Sequence, residues 1–301
     1  MIHTAPESIG RARSTLVKAL YLKRIKRLLQ SEPQTVISQL EEIRQSLCRF
    51  ENFRVLVIAN LEKLPRPVSS WEPFAAGLNL TKPLNPMDTR LSRLSDAGRN
   101  PGKLTYIVSM PTIDSSFALS TARGPDSYDH PQVPALMVAI AYLDAVEGPL
   151  WSAVRGTGLA YGTSFTRSVD SGLIQFDVYR SPDAYKAFAA SRKVIEGFVD
   201  GTTNFDPPAL EGAISTIVVG FANEQATIAS AAQGSFVRQV VRGLPDDWNE
   251  KMLKRVREVG VEEIKDVLRS VVLPVFTPGK ADIVVTCAPI MEEVCSQYHK
   301  C

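Results

Sequence analysis

The sequence has little of several features that mark specialised classes of protein. Four cysteines in 301 residues are too few, and too unevenly spaced, for a disulfide framework, which indicates a reducing compartment. No stretch approaches the roughly 18 uninterrupted apolar residues that a membrane span requires. The formal net charge is only +2, and Lys and Arg are interleaved with Asp and Glu. We therefore expect neither a membrane nor a nucleic acid among the partners.

The remaining composition is that of an ordinary globular protein, with 45% apolar and 22% charged residues. Residues 8–30 are basic and contain no acidic residue; their charges are Arg11, Arg13, Lys18, Lys23, Arg24, Lys26 and Arg27. This bias resembles a mitochondrial transit peptide. Apolar residues at helical spacing favour instead an ordinary helix with a basic outer face. We expect a cytoplasmic protein, with the mitochondrion as the alternative.

Two stretches about 230 residues apart share one order of elements, which suggests an internal repeat. The first comprises residues 22–28, 36–47 and 53–60, and the second comprises residues 253–259, 261–272 and 281–288. Both predict helix, helix, strand, and both begin with L-K-R. Residues 1–68 are then the expected C-terminal remnant of an upstream α+β domain. Residues 69–102, rich in proline and polar residues, are a predicted linker, and residues 103–301 a complete C-terminal domain.

The pattern within residues 103–301 predicts a single sheet with helices. Strands are expected near residues 104–110, 116–121, 160–167, 173–179 and 281–288. Helices are expected over residues 133–151, from Ser181-Pro182 to Phe198, from Asp206-Pro207 to Glu224, and after a capping box of Asp247 and Glu250. This order predicts the α+β class, with an antiparallel or mixed sheet and helices packed on one face.

The segment R-G-T-G-L-A-Y-G, from Arg155 to Gly162, lies between the apolar helix and the next strand. It is not a nucleotide loop, because Tyr161 takes the third glycine position of G-x-G-x-x-G and the order is helix then strand. One interpretation is structural, with Arg155 at a helix C-terminus and Tyr161 half-buried in a strand. The other is functional, because a guanidinium binds carbonyls or carboxylates directionally and a phenol donates a hydrogen bond.

The arginine that ends a helix, the glycine-rich turn and the Tyr-Gly that opens a strand resemble the last domain of the inverzincin metallopeptidases. This is the group of pitrilysin, insulysin and presequence protease. The following segments, Y-G-T-S-F-T-R-S and G-L-I-Q-F-D-V-Y-R-S-P, are similar to that family's strand pair and helix start. The resemblance covers most of residues 103–301 and, more weakly, residues 1–64.

The resemblance implies specific roles for five residues. Arg155 and Tyr161 would be auxiliary catalytic residues that bind the peptide and stabilise the oxyanion formed when zinc-bound water attacks. Gly156, Gly158 and Gly162 would form a loop whose backbone turns sharply and approaches the substrate closely. The expected partners are peptide substrates and the N-terminal catalytic half of the same protein.

The zinc motif of that family, H-x-x-E-H, is missing from this sequence. None of the histidines, which are His3, His130 and His299, has a second histidine four residues away. A C-terminal set of Cys287, Cys295, His299 and Cys301 matches no standard ligand spacing. We therefore expect no metal and no cofactor in this chain, and zinc in the N-terminal half of the parent enzyme.

Two functions follow from these observations. The favoured one is the substrate-chamber half of a zinc metalloendopeptidase that degrades peptides, inactive as an isolated chain. The alternative is a non-catalytic structural homologue that acts as an assembly or interaction subunit. The intact Arg155 and Tyr161 pair favours the peptidase, because an assembly subunit has no need of it.

Overall fold

The computed structural model describes residues 2–12, 14–67, 69–79, 81–86, 93–295 and 297–298. Its strands are β1 (Thr105–Ser109), β2 (Ser116–Arg123), β3 (Gly162–Ser168), β4 (Leu173–Ser181) and β5 (Ala281–Cys287). Its α-helices are α1 (Ile9–Ala12), α2 (Thr15–Ser31), α3 (Pro33–Leu47), α4 (Asp96–Arg99), α5 (Val133–Leu143), α6 (Ala184–Asp200), α7 (Pro207–Glu224), α8 (Ile228–Phe236), α9 (Trp248–Arg257), α10 (Val261–Val267) and α11 (Glu292–Cys295). No helix in these ranges combines the length and apolar character needed to cross a membrane.

The five strands form one sheet in the order β1-β5-β2-β4-β3. β1 runs parallel to β5, and every other neighbouring pair is antiparallel. β1 and β3 are therefore the two edges. The predicted α+β class, with a mixed sheet and helices packed on one face, is confirmed.

One face of the sheet forms the core, because alternate side chains of a strand point to opposite faces. In β4, Ile174, Phe176 and Val178 are buried on the helix-covered side. Around Phe176 an aromatic cluster joins the strands to α6 and the segment Leu273–Phe276: the Phe176 ring centroid lies 4.9 Å from Phe165, 6.1 Å from Phe188 and 4.8 Å from Phe276. The opposite face carries exposed side chains such as Leu119 and Tyr179.

The helix boundaries differ from expectation at three places. The helix predicted over residues 133–151 ends earlier, at Leu143. Asp144 is its C-cap residue, and the Asp144 carboxylate accepts a hydrogen bond from the Phe165 N–H. The N-cap of α6 is Asp183 rather than Ser181, whose hydroxyl accepts from the Asp183 N–H. The predicted capping box at α9 is wrong: the Asp247 side chain makes no capping bond, and Glu250 pairs with Lys254.

Residues 1–64 contain the two predicted helices, α2 and α3, but the predicted strand over residues 53–60 is wrong. Those residues form neither a strand nor a helix. A strand needs a hydrogen-bonded neighbour, and none of the described strands lies beside them. The order helix, helix, strand is therefore complete only in the second copy. The boundaries 1–68, 69–102 and 103–301 stay a prediction.

The first residues of the chain contact the sheet. Asp282 of β5 is buried, and its Oδ2 lies 2.9 Å from Nε2 of His3. The other carboxylate oxygen accepts hydrogen bonds from three consecutive backbone N–H groups, those of Gly102, Lys103 and Leu104. Thr4 also forms a bridge with Leu94. Asp282 thus joins the chain start, the end of the predicted linker and the sheet.

Candidate functional site

The glycine-rich segment forms a tight turn between a π-helix and β3. The π-helix, Trp151–Arg155, follows a loop after α5 and places Arg155 at its end. The turn closes through the Gly158 N–H bonded to the Arg155 carbonyl at 3.0 Å and the Leu159 N–H bonded to the Val154 carbonyl at 2.8 Å. π-helical turns are frequently found at functional sites, since they change the direction of a side chain.

Two of the three predicted loop glycines are required by the backbone. A Cβ at Gly156 would lie 2.7 Å from the Ser152 carbonyl oxygen, and Gly158 has a positive φ of 74°. Gly162 has open space around the position of a Cβ and no positive φ. The local backbone therefore does not require glycine at position 162, and the predicted role of Gly162 in a substrate-binding loop stays a prediction.

Tyr161 lies at the start of the edge strand and faces solvent. Its backbone N–H donates to the Arg180 carbonyl at 2.9 Å, which extends the pairing of β3 with β4 by one residue. The side chain is 59% exposed. Its hydroxyl has no hydrogen-bond partner among the described residues. The half-buried strand position considered from the sequence is therefore wrong, because the ring projects away from the core.

The structure brings Arg155 and Tyr161 together. The guanidinium carbon of Arg155 lies 4.6 Å from the Tyr161 ring centroid, a cation–π contact. Arg155 is exposed, and within the described ranges no carboxylate forms an ion pair with it. An exposed guanidinium that rests on an aromatic face keeps its hydrogen-bond donors available for a ligand.

Three further residues extend the site. The Tyr161 ring meets the Tyr179 ring edge-on at 6.0 Å, and Tyr179 meets Phe117 of β2 at 5.5 Å. Arg180 lies 5.8 Å from the Tyr179 ring and has a positive φ of 49°, which is uncommon for a residue other than glycine. Sequence reasoning missed these residues. The alternation within β2 and β4 assigns Phe117 and Tyr179 to one face, but only strand pairing brings them beside Tyr161.

The site is an aromatic row with two cations at the exposed edge of the sheet, where β3 begins, and it continues onto the open face through Tyr179 and Phe117. Such a surface can bind an extended peptide through ring contacts and through hydrogen bonds from the guanidinium groups to carbonyls or carboxylates. It has no nucleophile paired with a base among the residues named, so these residues can bind and orient a substrate but do not form a complete catalytic set.

A carboxyl group near β3 has a perturbed pKa. Burial raises the pKa of Asp144 to about 7, an effect that the Phe165 N–H partly offsets and the negative charge of Asp177 reinforces. The Asp144 Oδ2 accepts that N–H at 2.9 Å, and its Oδ1 is buried without a partner. Asp177 itself accepts from the Ser164 hydroxyl at 2.7 Å. The carboxyl of Asp144 thus changes its charge near neutral pH.

The described residues do not fit a zinc site. No three His, Cys, Asp or Glu side chains among them lie close enough together to hold a metal ion. His3 bonds to Asp282, and Nδ1 of His130 accepts from the Gln132 N–H in a turn. Of the C-terminal set considered above, Cys287 is a buried free thiol, and His299 and Cys301 lie outside the described residues.

No protein-family model matches the chain. In sequence the chain is similar to uncharacterized proteins of two yeasts. It is 26% identical over 271 residues to a protein of Saccharomyces cerevisiae, and the alignment covers 87% of this chain and 26% of that protein. For one of Schizosaccharomyces pombe the identity is 28% over 280 residues, covering 91% of this chain and 26% of that protein. The chain therefore spans about a quarter of the length of these relatives.

In structure the chain is similar to M16-like peptidases. A protease from Helicobacter pylori aligns with a TM-score of 0.57 at 15% identity, covering 72% of this chain and 50% of that one. The peptidase M16 inactive domain from Pseudomonas fluorescens aligns with a TM-score of 0.53 at 18% identity, covering 71% and 48%. At these identities the likeness concerns the fold, which is a protease-like fold shared with a domain described as inactive.

Proposed function

We propose that this chain is a substrate-facing part, with no zinc site among its described residues, of a longer zinc metalloendopeptidase of the inverzincin type, acting on peptides. The observation that carries the proposal is the pairing of Arg155 with Tyr161, 4.6 Å from guanidinium carbon to ring centroid, at the exposed start of the edge strand β3. Both side chains are exposed, so a substrate can reach them.

The roles of the two residues follow from their chemistry. Arg155 binds a carbonyl or carboxylate of the peptide, because a guanidinium forms charge-assisted hydrogen bonds with fixed geometry. Tyr161 donates its phenolic hydrogen to the oxyanion that develops on the scissile carbonyl. The exposed ring of Tyr179 lies beside Tyr161 and contributes apolar contact to the bound peptide.

The metal belongs to another part of the parent protein in this proposal. The described residues of this chain do not form a zinc site, so we assign no step of the metal chemistry to them. The second partner of the chain is then the N-terminal catalytic half, which brings the scissile bond to the Arg155 and Tyr161 pair. Cys48 and Cys287 are free, consistent with the cytoplasm as the proposed compartment.

A second candidate, an assembly or interaction subunit, has one observation in its favour. The helices α2 and α3 expose large apolar side chains, among them Leu20, Leu40 and Leu47. Exposed apolar surface of this kind marks protein–protein contacts. Under this alternative the Arg155 and Tyr161 pair has no role, which makes the two candidates separable by mutation.

The test is Tyr161→Phe in the complete parent protein, with Tyr21→Phe on α2 as the matched control. Both changes remove one exposed phenolic hydroxyl, since Tyr21 is 53% exposed. Loss of an oxyanion donor should lower kcat by about 10²-fold, or about 2.7 kcal/mol, with a smaller change in KM. Arg155→Ala should mainly raise KM. An unchanged kcat in the Tyr161→Phe protein would favour the assembly role.

The isolated chain should hold no stoichiometric zinc and hydrolyse no peptide. Metal analysis after dialysis and a quenched fluorescent peptide assay measure both properties. One tightly held zinc together with chelator-sensitive cleavage by the chain alone would contradict the proposal.

A further inference from the structure

A second site lies at the other end of β3, on the helix-covered side of the sheet. A cleft of about 800 Å³ opens between residues 166–170 and the helical segments that include α7, α8 and α9. Its volume falls within the range of small-molecule sites, which is about 300 to 1,000 Å³. Arg167 is six residues from Tyr161 along an extended strand, or about 20 Å, so the cleft is separate from the Arg155 and Tyr161 pair.

Three arginines line this cleft: Arg167, Arg238 and Arg242. Arg242 is neutralised, because it bonds Asp170 at 3.1 Å and lies 4.9 Å from the Tyr128 ring centroid. Arg167 and Arg238 form no ion pair with any carboxylate in the described part of the chain. Glu224, which also lines the cleft, is exposed. The lining therefore holds three arginines and two carboxylates, and Arg167 and Arg238 are the two cations without an ion-pair partner among the described residues.

The cleft also holds buried donors that lack an acceptor. The Nε of Arg238 and the Nδ2 of Asn249 are both buried without a hydrogen-bond partner. Arg167 is half-buried, and burial lowers the pKa of its guanidinium. An unpaired buried donor is costly, and both residues line the cleft, so a bound group that accepts from them would be favoured.

An aromatic wall stands beside these donors. The Trp248 ring lies edge-on to Tyr128 at 5.7 Å and is stacked on Phe221 at 6.2 Å, and all three residues line the cleft. The wall offers a flat apolar surface to the organic part of a ligand. Charge and aromatic lining together favour an oxyanion attached to an apolar or ring-shaped body.

We propose that this cleft is a binding site for a small phosphate monoester. Arg167, Arg238 and Asn249 donate to the phosphate oxygens, and Trp248 contacts the body of the molecule. Guanidinium groups match the geometry of phosphate through paired N–H bonds, and two of them balance the two charges of a monoester near neutral pH.

Calorimetric titration of the 301-residue chain with phenyl phosphate, inorganic phosphate and benzoate, at matched ionic strength, tests the site. Phenyl phosphate should bind more tightly than inorganic phosphate because of the aromatic wall, and more tightly than benzoate because of the second charge. Arg238→Gln and Arg167→Gln should each weaken phenyl phosphate binding by about tenfold or more, as the loss of a charged hydrogen bond does.

The matched control is Lys254→Gln on α9, which removes one positive charge from an exposed ion pair with Glu250 and should leave binding unchanged. The fluorescence emission of Trp248 in the unaltered chain should change on titration with phenyl phosphate. The signal is assigned to Trp248 by its loss in Trp248→Phe, and this measurement remains valid even if an arginine variant fails to fold. Absence of binding, benzoate binding as tight as phenyl phosphate, an equal loss in the Lys254→Gln chain, or unchanged Trp248 emission would each overturn the proposal.

Discussion

The two faces of the five-stranded sheet differ sharply, although the same strands build both. On the helix-covered face β4 presents Phe176, which is 1% exposed, whereas three residues later Tyr179 is 47% exposed on the other face. The covered face is mainly apolar and aromatic at its centre, and its buried Ser120 donates to the Val275 carbonyl at 2.6 Å. The open face mixes aromatic rings with hydroxyl, carboxylate and guanidinium groups.

Residues of one strand, β4, therefore contribute to different properties: those on the covered face to stability, and those on the open face to binding. Close packing on the covered face makes each side chain there part of the stability of the protein. An open face that keeps exposed rings beside unpaired cations contributes little to stability, and it is typical of a binding surface. Substitutions on the two faces should therefore affect different measurements, and the predictions below test that separation.

The largest effect is expected for Phe176→Ala. Removing this ring leaves a cavity among Phe165, Phe188 and Phe276, and Phe→Ala in a core costs about 3 to 5 kcal/mol in the free energy of unfolding. Urea unfolding followed by circular dichroism measures the change. The matched control is Tyr179→Ala on the open face, which should cost about 1 kcal/mol or less. Equal losses would remove the distinction between the faces.

Asp282→Ala should come next, with a loss of about 3 kcal/mol, because it leaves three backbone N–H groups and His3 without their acceptor. Asp282 is an exception to the comparison of the two faces. It alternates with the core residues of β5 and so lies on the side of the open face, yet it is only 1% exposed. Its carboxylate is in contact with His3 and with the backbone of residues 102–104. His3→Ala removes one of these contacts and should cost less; an equal loss would place the main contribution in His3.

Asp144 gives the covered side a dependence on pH. The folded pKa of about 7 lies above the ordinary value of 3.8, so the folded protein binds more protons than the unfolded chain between these values. Stability then falls as pH rises from about 4 to about 7. The full shift corresponds to about 4 kcal/mol, which partial solvent access reduces to about 2 kcal/mol.

Asp144→Asn keeps an oxygen for the Phe165 N–H and removes the titration. The variant should lose the fall in stability over that window and exceed the unaltered protein by about 2 kcal/mol above pH 7. Thermal unfolding at a series of pH values measures this. Parallel pH profiles for the two proteins would show that Asp144 does not titrate in this range.

Local patterns in the sequence predicted much of this fold. Alternating residues located β1 and β4, the other three strands also lie where strands were expected, and the Asp206-Pro207 pair located the start of α7, where Asp206 accepts from the Ala209 N–H. The Arg155 and Tyr161 pair was also predictable, because a short glycine turn keeps residues close in sequence close in space.

What could not be predicted depends on distant parts of the chain. Residues 53–60 have the composition of a strand, but a strand forms only beside a partner, and none of the described strands pairs with them. Arg167, Arg238 and Asn249 line the same cleft, although Arg238 and Asn249 are more than 70 residues away from Arg167 in sequence. Asp144 ends α5 through a bond to a strand residue 21 positions later.

The smallest effect on stability is expected for Tyr161→Phe, at the exposed start of the edge strand β3. The change removes only a hydroxyl that has no hydrogen-bond partner among the described residues, and it keeps the ring that contacts Arg155 and Tyr179. Surface changes of this kind stay within about 0.5 kcal/mol in the free energy of unfolding. Urea unfolding of both proteins, side by side, measures the difference. A loss well above this value would mean that the hydroxyl supports the fold, and any fall in kcat of the parent protein could then no longer be assigned to substrate contact.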